Sequence, residues 1–247
     1  MTTTSVRAFV GANIKGTPKM SRRKVAEDLR SLRAHADLVV LQEFKWRTYW
    51  LALGANLRRW GSYPSAARGL ATPVRAGQPV VWRRRVWRRV GSRGALLHKG
   101  RAGISEDRYL RAVLVEDRAT GLRCWHGGTH NVVGGDEDTD GPVRRAMLDE
   151  DLDRLAAFLD DLASTGYPIV WQMDANVHRG TDAYRRLVQT VVDRGGAFYG
   201  EHGVEYLFAM HGEHGVVEVL SAWRLRAGDH LNTDHEARGI TYRLRAR

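Results

Sequence analysis

The sequence predicts an α/β fold built from two β-sheets with helices outside them, and three observations indicate it. Residues 37–42 (DLVVLQ) and 167–174 (YPIVWQMD) are apolar almost throughout, as expected for strands buried on both faces. Segments with helical spacing of apolar residues separate the strand-like runs, and residues 79–127 hold several β-rich runs in succession. The 247 residues, 43% of them hydrophobic, suffice for one sizeable core without a linker, so we expect one domain over 1–247.

The chain begins with a predicted strand, helix and second strand. Residues 5–12 are β-rich, and Ser21 is a favourable N-cap for a helix over 22–34. After the buried strand at 37–42, the segment TYWLALGANLRRW predicts a second helix that is interrupted or ends near Gly54.

The middle of the chain is predicted to be antiparallel β structure. The arginine-rich segment 78–91 (QPVVWRRRVWRRVG) favours a β-hairpin, because two β-rich runs flank three consecutive arginines. Further strands are predicted at 94–98, 109–115 and 121–127.

The carboxyl-terminal half mixes helices and strands. Pro142 is expected to open a long amphipathic helix that extends to about residue 164, and Thr181 to cap a helix formed by TDAYRRLVQTVVD. Three closing strands are predicted in VEYLFAM, VVEVLSAWRL and GITYRLR.

Charge is distributed unevenly along the chain. Residues 1–101 contain 22 Lys and Arg against 4 Asp and Glu, or +18, whereas residues 102–247 contain 17 against 24, or −7. A basic half suggests a polyanionic partner, because phosphates neutralised by Lys and Arg release counterions. A generally arginine-rich proteome is the alternative explanation, and binding to a membrane surface lacks an obvious amphipathic anchor.

Cysteine content and the terminal segment bear on the compartment. Cys124 is the single cysteine, which excludes an internal disulfide framework, and MTTTSVRAFV lacks the features of a signal peptide. No apolar run approaches the roughly 18 residues that suggest a bilayer span. We therefore expect a soluble, cytoplasmic monomer.

Short polar clusters follow five of the strand-like runs. In α/β folds, side chains at strand ends commonly carry chemistry, and together these clusters indicate a dispersed metal and phosphate site. The clusters are Asn13, Gln42-Glu43, His130, Asp174-Ala175-Asn176 and Thr233-Asp234-His235.

In that order, the clusters resemble the endonuclease/exonuclease/phosphatase superfamily, of which deoxyribonuclease I is a member. The match extends over residues 6–245, and its weight comes from the ordered co-occurrence of motifs that are individually common. The resemblance implies an α/β sandwich of two packed, mostly antiparallel β-sheets flanked by helices on both outer faces. It also implies hydrolysis of phosphoesters.

A metal site is expected around Glu43. A carboxylate at the end of a Val/Leu strand is costly to bury unless a hard cation holds it. Asn13 offers a carbonyl oxygen to the same ion, and by resemblance Asp234 lies on the metal side. We expect Mg²⁺ or Mn²⁺ there.

Asp174 and Asn176 are two residues apart, so both lie on one face for as long as the strand persists. The carboxylate can orient or deprotonate a water or assist a leaving oxygen, and the amide can donate to developing negative charge. The family has Gly before this Asp and usually Phe after it, whereas Met173 and Ala175 occupy those positions here.

By resemblance, His235 is the general base. A base histidine needs a carboxylate to hold its tautomer, and the family places an Asp before a Tyr in a late strand. This chain has Glu205 before Tyr206, and Glu is longer by one methylene. We expect a Glu205 oxygen within about 3.2 Å of a His235 ring nitrogen.

Two further histidines are assigned different roles. His130 follows Thr129 as the family's other histidine does, which there binds the scissile phosphate or protonates the leaving oxygen. His126 would lie roughly 13 Å from His130 along a strand, too far to share one ion, so it is interpreted as structural.

Several arginines are candidates for binding substrate. Arg111 lies on a strand where similar enzymes place a phosphate-contacting arginine, although a surface salt bridge would account for it equally well. Arg83, Arg84 and Arg85 are expected to contact the nucleic-acid backbone, and the neighbouring Trp82 and Trp87 are either core residues or a strip for stacking single-stranded bases.

The sequence thus predicts a divalent-metal phosphodiesterase that hydrolyses nucleic acid. A phosphatase or phosphodiesterase for a small molecule or lipid headgroup is the first alternative, distinguished by whether the basic surface lies beside the site or away from it. A non-catalytic nucleic-acid-binding module is the second, favoured if Glu205 fails to reach His235.

Overall fold

The computed structural model describes residues 4–14, 20–44, 47–56, 59–63, 77–136, 141–228, 231–233 and 235–247. Within these ranges the chain forms twelve strands and four helices. The strands are β1 Ser5–Asn13, β2 Leu38–Gln42, β3 Trp60–Tyr63, β4 Val80–Arg83, β5 Trp87–His98, β6 Arg108–Asp117, β7 Arg123–His130, β8 Ile169–Asp174, β9 Gly196–His202, β10 Glu205–Met210, β11 Val216–Leu225 and β12 Ala237–Arg245. The helices are α1 Arg22–His35, α2 Arg47–Asn56, α3 Gly141–Ala163 and α4 Asp182–Val192.

The strands form two sheets of six. The first has the order β11-β12-β1-β2-β4-β3, and the second has the order β5-β6-β7-β8-β10-β9. Each sheet contains one parallel pair, β1 with β2 and β7 with β8, among otherwise antiparallel neighbours. The predicted sandwich of mostly antiparallel sheets is therefore confirmed.

Apolar side chains fill three layers. The middle layer lies between the sheets and includes Phe9, Val113 and Tyr242, all fully buried. A second layer lies beneath α1 and α2 on the first sheet, and a third beneath α3 and α4 on the second sheet. Helices therefore cover both outer faces, as predicted.

The helix starts follow the predicted capping chemistry. The Ser21 hydroxyl accepts from the Lys24 backbone amide at 3.3 Å, and the Thr181 hydroxyl accepts from the Tyr184 amide at 3.2 Å. Each cap satisfies a backbone N–H that has no partner within the helix. None of the described helices is long and apolar enough to cross a membrane.

The predicted hairpin in the arginine-rich segment is wrong. A turn over residues 84–86 connects β4 to β5, but the two strands lie in different sheets. Both edges of β4 are already hydrogen-bonded, to β2 and β3, so β5 cannot pair with it. The segment instead carries the chain from one sheet to the other.

The proposed stacking strip of Trp82 and Trp87 is also wrong. The two side chains belong to the layer between the sheets, where Trp82 is 7% and Trp87 1% exposed. Buried rings cannot stack on bases, so these tryptophans are core residues.

Two strands were not predicted from the sequence. β3 (WGSY) and β9 (GAFYGEH) are the outermost strands of their sheets. Both contain glycine and lack a run of β-branched residues, which is the signal that identified the central strands.

A buried polar pair ties α3 to the second sheet. His98 Nδ1 lies 2.6 Å from Asp151 Oδ1, and both side chains are fully buried. The other carboxylate oxygen of Asp151 accepts from the Val132 backbone amide at 3.0 Å, which fixes the segment that follows β7. That segment borders the candidate site.

Asp151→Ala is expected to lower the free energy of unfolding by about 3–5 kcal/mol, because it leaves His98 Nδ1 and the Val132 amide buried without a partner. Denaturant unfolding measures the change. Glu150→Ala, which breaks an exposed pair with Arg154 on the same helix, is the control and should cost less than about 1 kcal/mol. Equal losses in both variants would show that the buried pair contributes nothing special.

Candidate active site

The ends of five strands meet at one edge of the sandwich. In the first sheet, Asn13 at the end of β1 lies beside Gln42 at the end of β2. In the second sheet, Asp174 at the end of β8 lies between His130 on β7 and Glu205 on β10. The dispersed polar clusters of the sequence are thus brought together by strand register.

A hydrogen bond between Asn13 and Asp174 crosses from sheet to sheet at this edge. Asn13 Nδ2 donates to Asp174 Oδ2 at 2.8 Å, and each residue is only 1% exposed. The carbonyl oxygen Oδ1 of Asn13 is buried and has no hydrogen-bond partner among the described residues. An unpaired buried oxygen of this kind costs free energy unless a ligand or water satisfies it.

His130 is held between a cation and two carboxylates. Arg108 Nη1 donates to His130 Nδ1 at 2.9 Å. Glu43 Oε1 lies 3.7 Å from the same nitrogen, and Asp174 Oδ2 lies 3.7 Å from Nε2. Because a guanidinium has no acceptor, Nδ1 must accept, so the proton of the neutral imidazole lies on Nε2, facing Asp174.

Arg108 is a site residue that sequence reasoning missed. It is the first residue of β6 and is 7% exposed. The available signal was an arginine at the start of a strand rich in apolar residues, but Arg111 on the same strand carries the same signal.

Arg111 lies on the strand next to the one that carries His130. It is opposite Gly128 in the β6–β7 register, two residues before His130. Its guanidinium packs 4.7 Å from the Tyr109 ring and 5.9 Å from the Tyr63 ring. A phosphate contact by Arg111 stays a prediction.

Glu205 reaches His235. Glu205 Oε1 lies 3.1 Å from His235 Nδ1, within the expected 3.2 Å, so the longer side chain spans the gap. Glu205 is 5% exposed, and the His235 side chain is 23% exposed. The His235 ring is therefore buried on its Glu205 side and open on another.

Burial changes the acidity of both carboxyls. Burial first, and then the negative charge of Asp174, raise the pKa of Glu205 to about 8, against a lowering by His235. Burial likewise raises the pKa of Asp174, which the charge of His235 and the hydrogen bond from Asn13 oppose. Two carboxylates at one buried edge repel each other, so the site favours added positive charge.

Two site residues have a left-handed backbone conformation. Glu43 has φ 53° and Asn176 has φ 51°, a region that residues other than glycine seldom adopt. Asp174 and Asn176 were expected to share a face only for as long as the strand persists, and β8 ends at Asp174, after which the chain turns. Asn176 Nδ2 instead donates to the Asn131 backbone carbonyl at 3.1 Å.

The loop that carries His235 is anchored to α1 and β1. Asp28, fully buried in α1, accepts from the Asn232 backbone amide at 2.7 Å and from its side-chain amide at 2.8 Å. Thr233 Oγ1 donates to the Asn13 carbonyl at 2.8 Å. Asp234, predicted as a metal ligand, lies outside the described residues.

The donor set fits a hard divalent cation. Asn13 contributes an unsatisfied carbonyl oxygen, and Glu43 contributes a carboxylate whose side chain is 16% exposed. Among the described residues, Asp174, Glu205 and His235 also place potential ligand atoms within 4.8 Å of one another. Carboxylate and amide oxygens are the ligands that Mg²⁺ and Mn²⁺ prefer.

The arginines predicted to bind substrate lie away from this edge. β4 runs antiparallel to β2, and the Arg83 amide donates to the Asp37 carbonyl, at the opposite end of β2 from Glu43. Asp37 and Glu43 are six residues apart along the extended chain, which corresponds to about 20 Å. Arg83, Arg84 and Arg85 therefore lie outside the site itself, and a contact between them and a nucleic-acid backbone stays a prediction.

His126 is structural, as interpreted from its spacing. It is fully buried, and its Nε2 lies 2.6 Å from the Tyr242 hydroxyl. Burial lowers the pKa of His126 to about 3, so the ring is neutral in the core.

No protein-family model matches this sequence, and no curated protein matches it. The fold matches solved structures over nearly the whole chain. An endonuclease/exonuclease/phosphatase from Bacteroides vulgatus has TM-score 0.70 and 15% identity, covering 98% of this chain and 100% of the other. TDP2 of D. rerio, solved with a single-strand DNA product, has TM-score 0.69 and 12% identity, with 96% and 99% covered. The mannosyl-6-phosphatase Bt3783 of Bacteroides thetaiotaomicron has TM-score 0.66 and 13% identity, with 96% and 99% covered.

At these identities the similarity establishes the fold. The architecture implied by the ordered motifs is therefore confirmed as that of the endonuclease/exonuclease/phosphatase proteins.

The raised pKa of Glu205 predicts a pH-dependent stability. The folded protein binds the Glu205 proton more tightly than the unfolded chain does. The contribution of this proton to the free energy of unfolding is therefore fully present below roughly pH 4.5 and is lost as the pH rises through about 8. In chelator, Glu205→Gln should therefore have a higher Tm than the native protein at pH 8 and a smaller advantage at pH 5. Glu218→Gln, on a half-exposed position of β11, is the control. Parallel Tm profiles for the native protein and Glu205→Gln would contradict the assignment.

Proposed function

We propose that this chain is a divalent-metal-dependent phosphodiesterase that hydrolyses nucleic acid, with His235 as the general base. The observation that carries the proposal is the 3.1 Å contact between Glu205 and His235 at an edge that also holds Asp174, Asn13 and Glu43. In-line hydrolysis of a phosphoester needs a base for the attacking water and positive charge near the phosphoryl oxygens. His235 would be the base, and the carboxylates of this edge would hold a cation that supplies the charge.

His235 and Glu205 act together in the first proton transfer. In its ionised form, which a bound cation would favour, Glu205 accepts the Nδ1 hydrogen of His235 and leaves Nε2 as the acceptor for a proton from water. The carboxylate then stabilises the imidazolium that forms. This contact removes the condition that favoured a non-catalytic binding module.

His130 and Asp174 act on the phosphate side. Arg108 keeps the His130 proton on Nε2, where it can be donated to a phosphoryl or leaving oxygen. Asp174 is placed to orient the water or assist the leaving oxygen. The remaining amide hydrogen of Asn176, beyond the one given to Asn131, is available to a second phosphoryl oxygen.

Glu43, Asn13 and Asp234 would hold the metal ion, Mg²⁺ or Mn²⁺. When bound, the cation neutralises the phosphate and the departing oxyanion. It would also offset the repulsion between the buried carboxylates at this edge.

Nucleic acid is supported as the substrate by charge. Beyond the site, Arg84, Arg85 and Arg89 are exposed, and none of them pairs with a carboxylate among the described residues. A polymer bound at the catalytic edge can extend over the roughly 20 Å to this surface, whereas a single phosphate cannot. The D. rerio TDP2 structure, with its single-strand DNA product, shows that this fold accommodates such a ligand.

A small-molecule or lipid-headgroup phosphoester is the second candidate substrate. The observation that favours it is the placement of Arg83, Arg84 and Arg85 at the opposite end of the sandwich from the site. The mannosyl-6-phosphatase with the same fold gives an example of a sugar phosphate acted on by such a protein.

The proposal predicts metal-dependent turnover that requires Glu43. Labelled DNA, labelled RNA and a set of phosphorylated small molecules are incubated with the native protein, with and without Mn²⁺. Glu43→Gln keeps the volume of the side chain but removes its charge, and should lower turnover by roughly 100-fold or more. Thermal unfolding of the variant is the control for its fold.

Cleavage of DNA or RNA establishes the nuclease, and cleavage confined to small molecules establishes the second candidate. Unchanged turnover of Glu43→Gln at limiting metal would remove Glu43 from the site.

The exposed arginines predict a salt-dependent contribution to polymer binding. Neutralising Arg84, Arg85 and Arg89 together should weaken duplex DNA binding and lower the log-log salt slope by about 0.9 for each phosphate that is no longer neutralised. Hydrolysis of a minimal phosphodiester should change little. The matched control neutralises Arg88 and Arg123, both of which already pair with Glu116. An unchanged slope in the triple variant would assign these arginines to solubility.

A further inference from the structure

Gln172 is a buried amide in β8, a strand whose other residues, apart from Asp174 at its end, are apolar. It is 1% exposed, and its neighbours Trp171 and Met173 are fully buried. A primary amide in such a position is costly unless its donor and acceptor are both satisfied. Surrounding side chains supply the hydrogen bonds that both atoms need.

Both ends of the Gln172 amide are used. Nε2 donates to Glu205 Oε2 at 2.7 Å, and Oε1 accepts from Gln42 Nε2. The other oxygen of Glu205 contacts His235. A continuous line of side chains therefore extends from Gln42 in the first sheet through Gln172 and Glu205 to His235.

The strands beside Gln172 leave room for it. A Cβ at Gly11 on β1 would overlap the Gln172 side chain, and a Cβ at Gly128 on β7 would overlap the Gln172 backbone carbonyl and Val40. A side chain at position 11 would require the Gln172 amide to move from the position in which it bonds Glu205 and Gln42. The space across the sandwich is thus fitted to Gln172.

The hydrogen bond from Gln172 matters because Glu205 has one more rotatable bond than an aspartate would have. A free glutamate in this position could rotate its carboxylate away from His235. Gln172 binds one oxygen and leaves the other directed at Nδ1, so a single rotamer satisfies both partners. An aspartate has one rotatable bond fewer, so it depends less on a second partner to fix its carboxylate.

We propose that Gln172 is a positioning residue that holds the Glu205 carboxylate against His235. The inference rests on the proposed function, in which Glu205 orients His235 as the base. It assigns the amide no contact with substrate, and it makes the role of Gln172 conditional on the length of the acid at position 205.

A double-mutant cycle tests this dependence. Gln172→Met keeps the length of the side chain and removes its hydrogen bonds. In the native background it should lower kcat by about tenfold or more and change KM less than threefold, whereas in the Glu205→Asp background it should lower kcat less than threefold. Equal factors in the two backgrounds would mean that Gln172 acts only through stability, and would overturn the proposal.

A second measurement does not depend on activity. In a crystal structure of Gln172→Met, Glu205 Oε1 should lie more than 3.5 Å from His235 Nδ1 or be divided between two rotamers. A distance unchanged from 3.1 Å overturns the proposal, whether or not the protein hydrolyses any phosphoester. If Gln172→Met does not fold, Gln172→Asn keeps an amide in the core but is one methylene too short, and the same displacement is expected.

Failure of the proposed function can be distinguished from failure of the positioning role. A native protein that cleaves nothing in the substrate panel would overturn the phosphodiesterase, while the displaced carboxylate in the Gln172→Met structure would still support the positioning role.

Discussion

The hydrogen bond between Asn13 and Asp174 joins strand ends that belong to different sheets, and the geometry of the whole edge depends on it. Register within a sheet aligns His130, Asp174 and Glu205, but register does not fix how far one sheet edge stands from the other. The hydrogen bonds from Asn13 to Asp174 and from Gln42 to Gln172 join the two edges, and the Asn13 backbone carbonyl, which accepts from Thr233, attaches the closing loop. Groups from both sheets and from the closing loop are thereby placed around one point.

The same edge concentrates a cost in free energy. Asp174 and Glu205 are buried next to each other, and burial raises the pKa of both carboxyls. A fold optimised only for stability would replace them with apolar side chains of similar volume. Their retention at the ends of well-packed central strands is consistent with a site that requires negative charge in place before a cation and a phosphate arrive.

The sequence predicted the central architecture because central strands and capped helices carry strong local signals. The runs at 37–42 and 167–174, and the caps Ser21 and Thr181, depend on neighbours only a few residues away. The hairpin prediction failed because the occupancy of β4's edges by β2 and β3 is a long-range property. Glu205 and His235 could be identified from the sequence because the order of the motifs along the chain indicated them. Arg108 could not, because its role depends on a contact from β6 to a histidine on β7.

The close fit between Gly11 and Gln172 has a consequence for how such a site can change over generations. Any larger residue at position 11 collides with the glutamine, and loss of the glutamine leaves Glu205 and Gln42 without a shared partner in the core. Under the positioning role proposed for Gln172, a change at position 11 or 172 costs less once the acid at 205 is shorter. That role makes the effects of substitutions at the three positions depend on one another, so the order in which they change decides what each change costs.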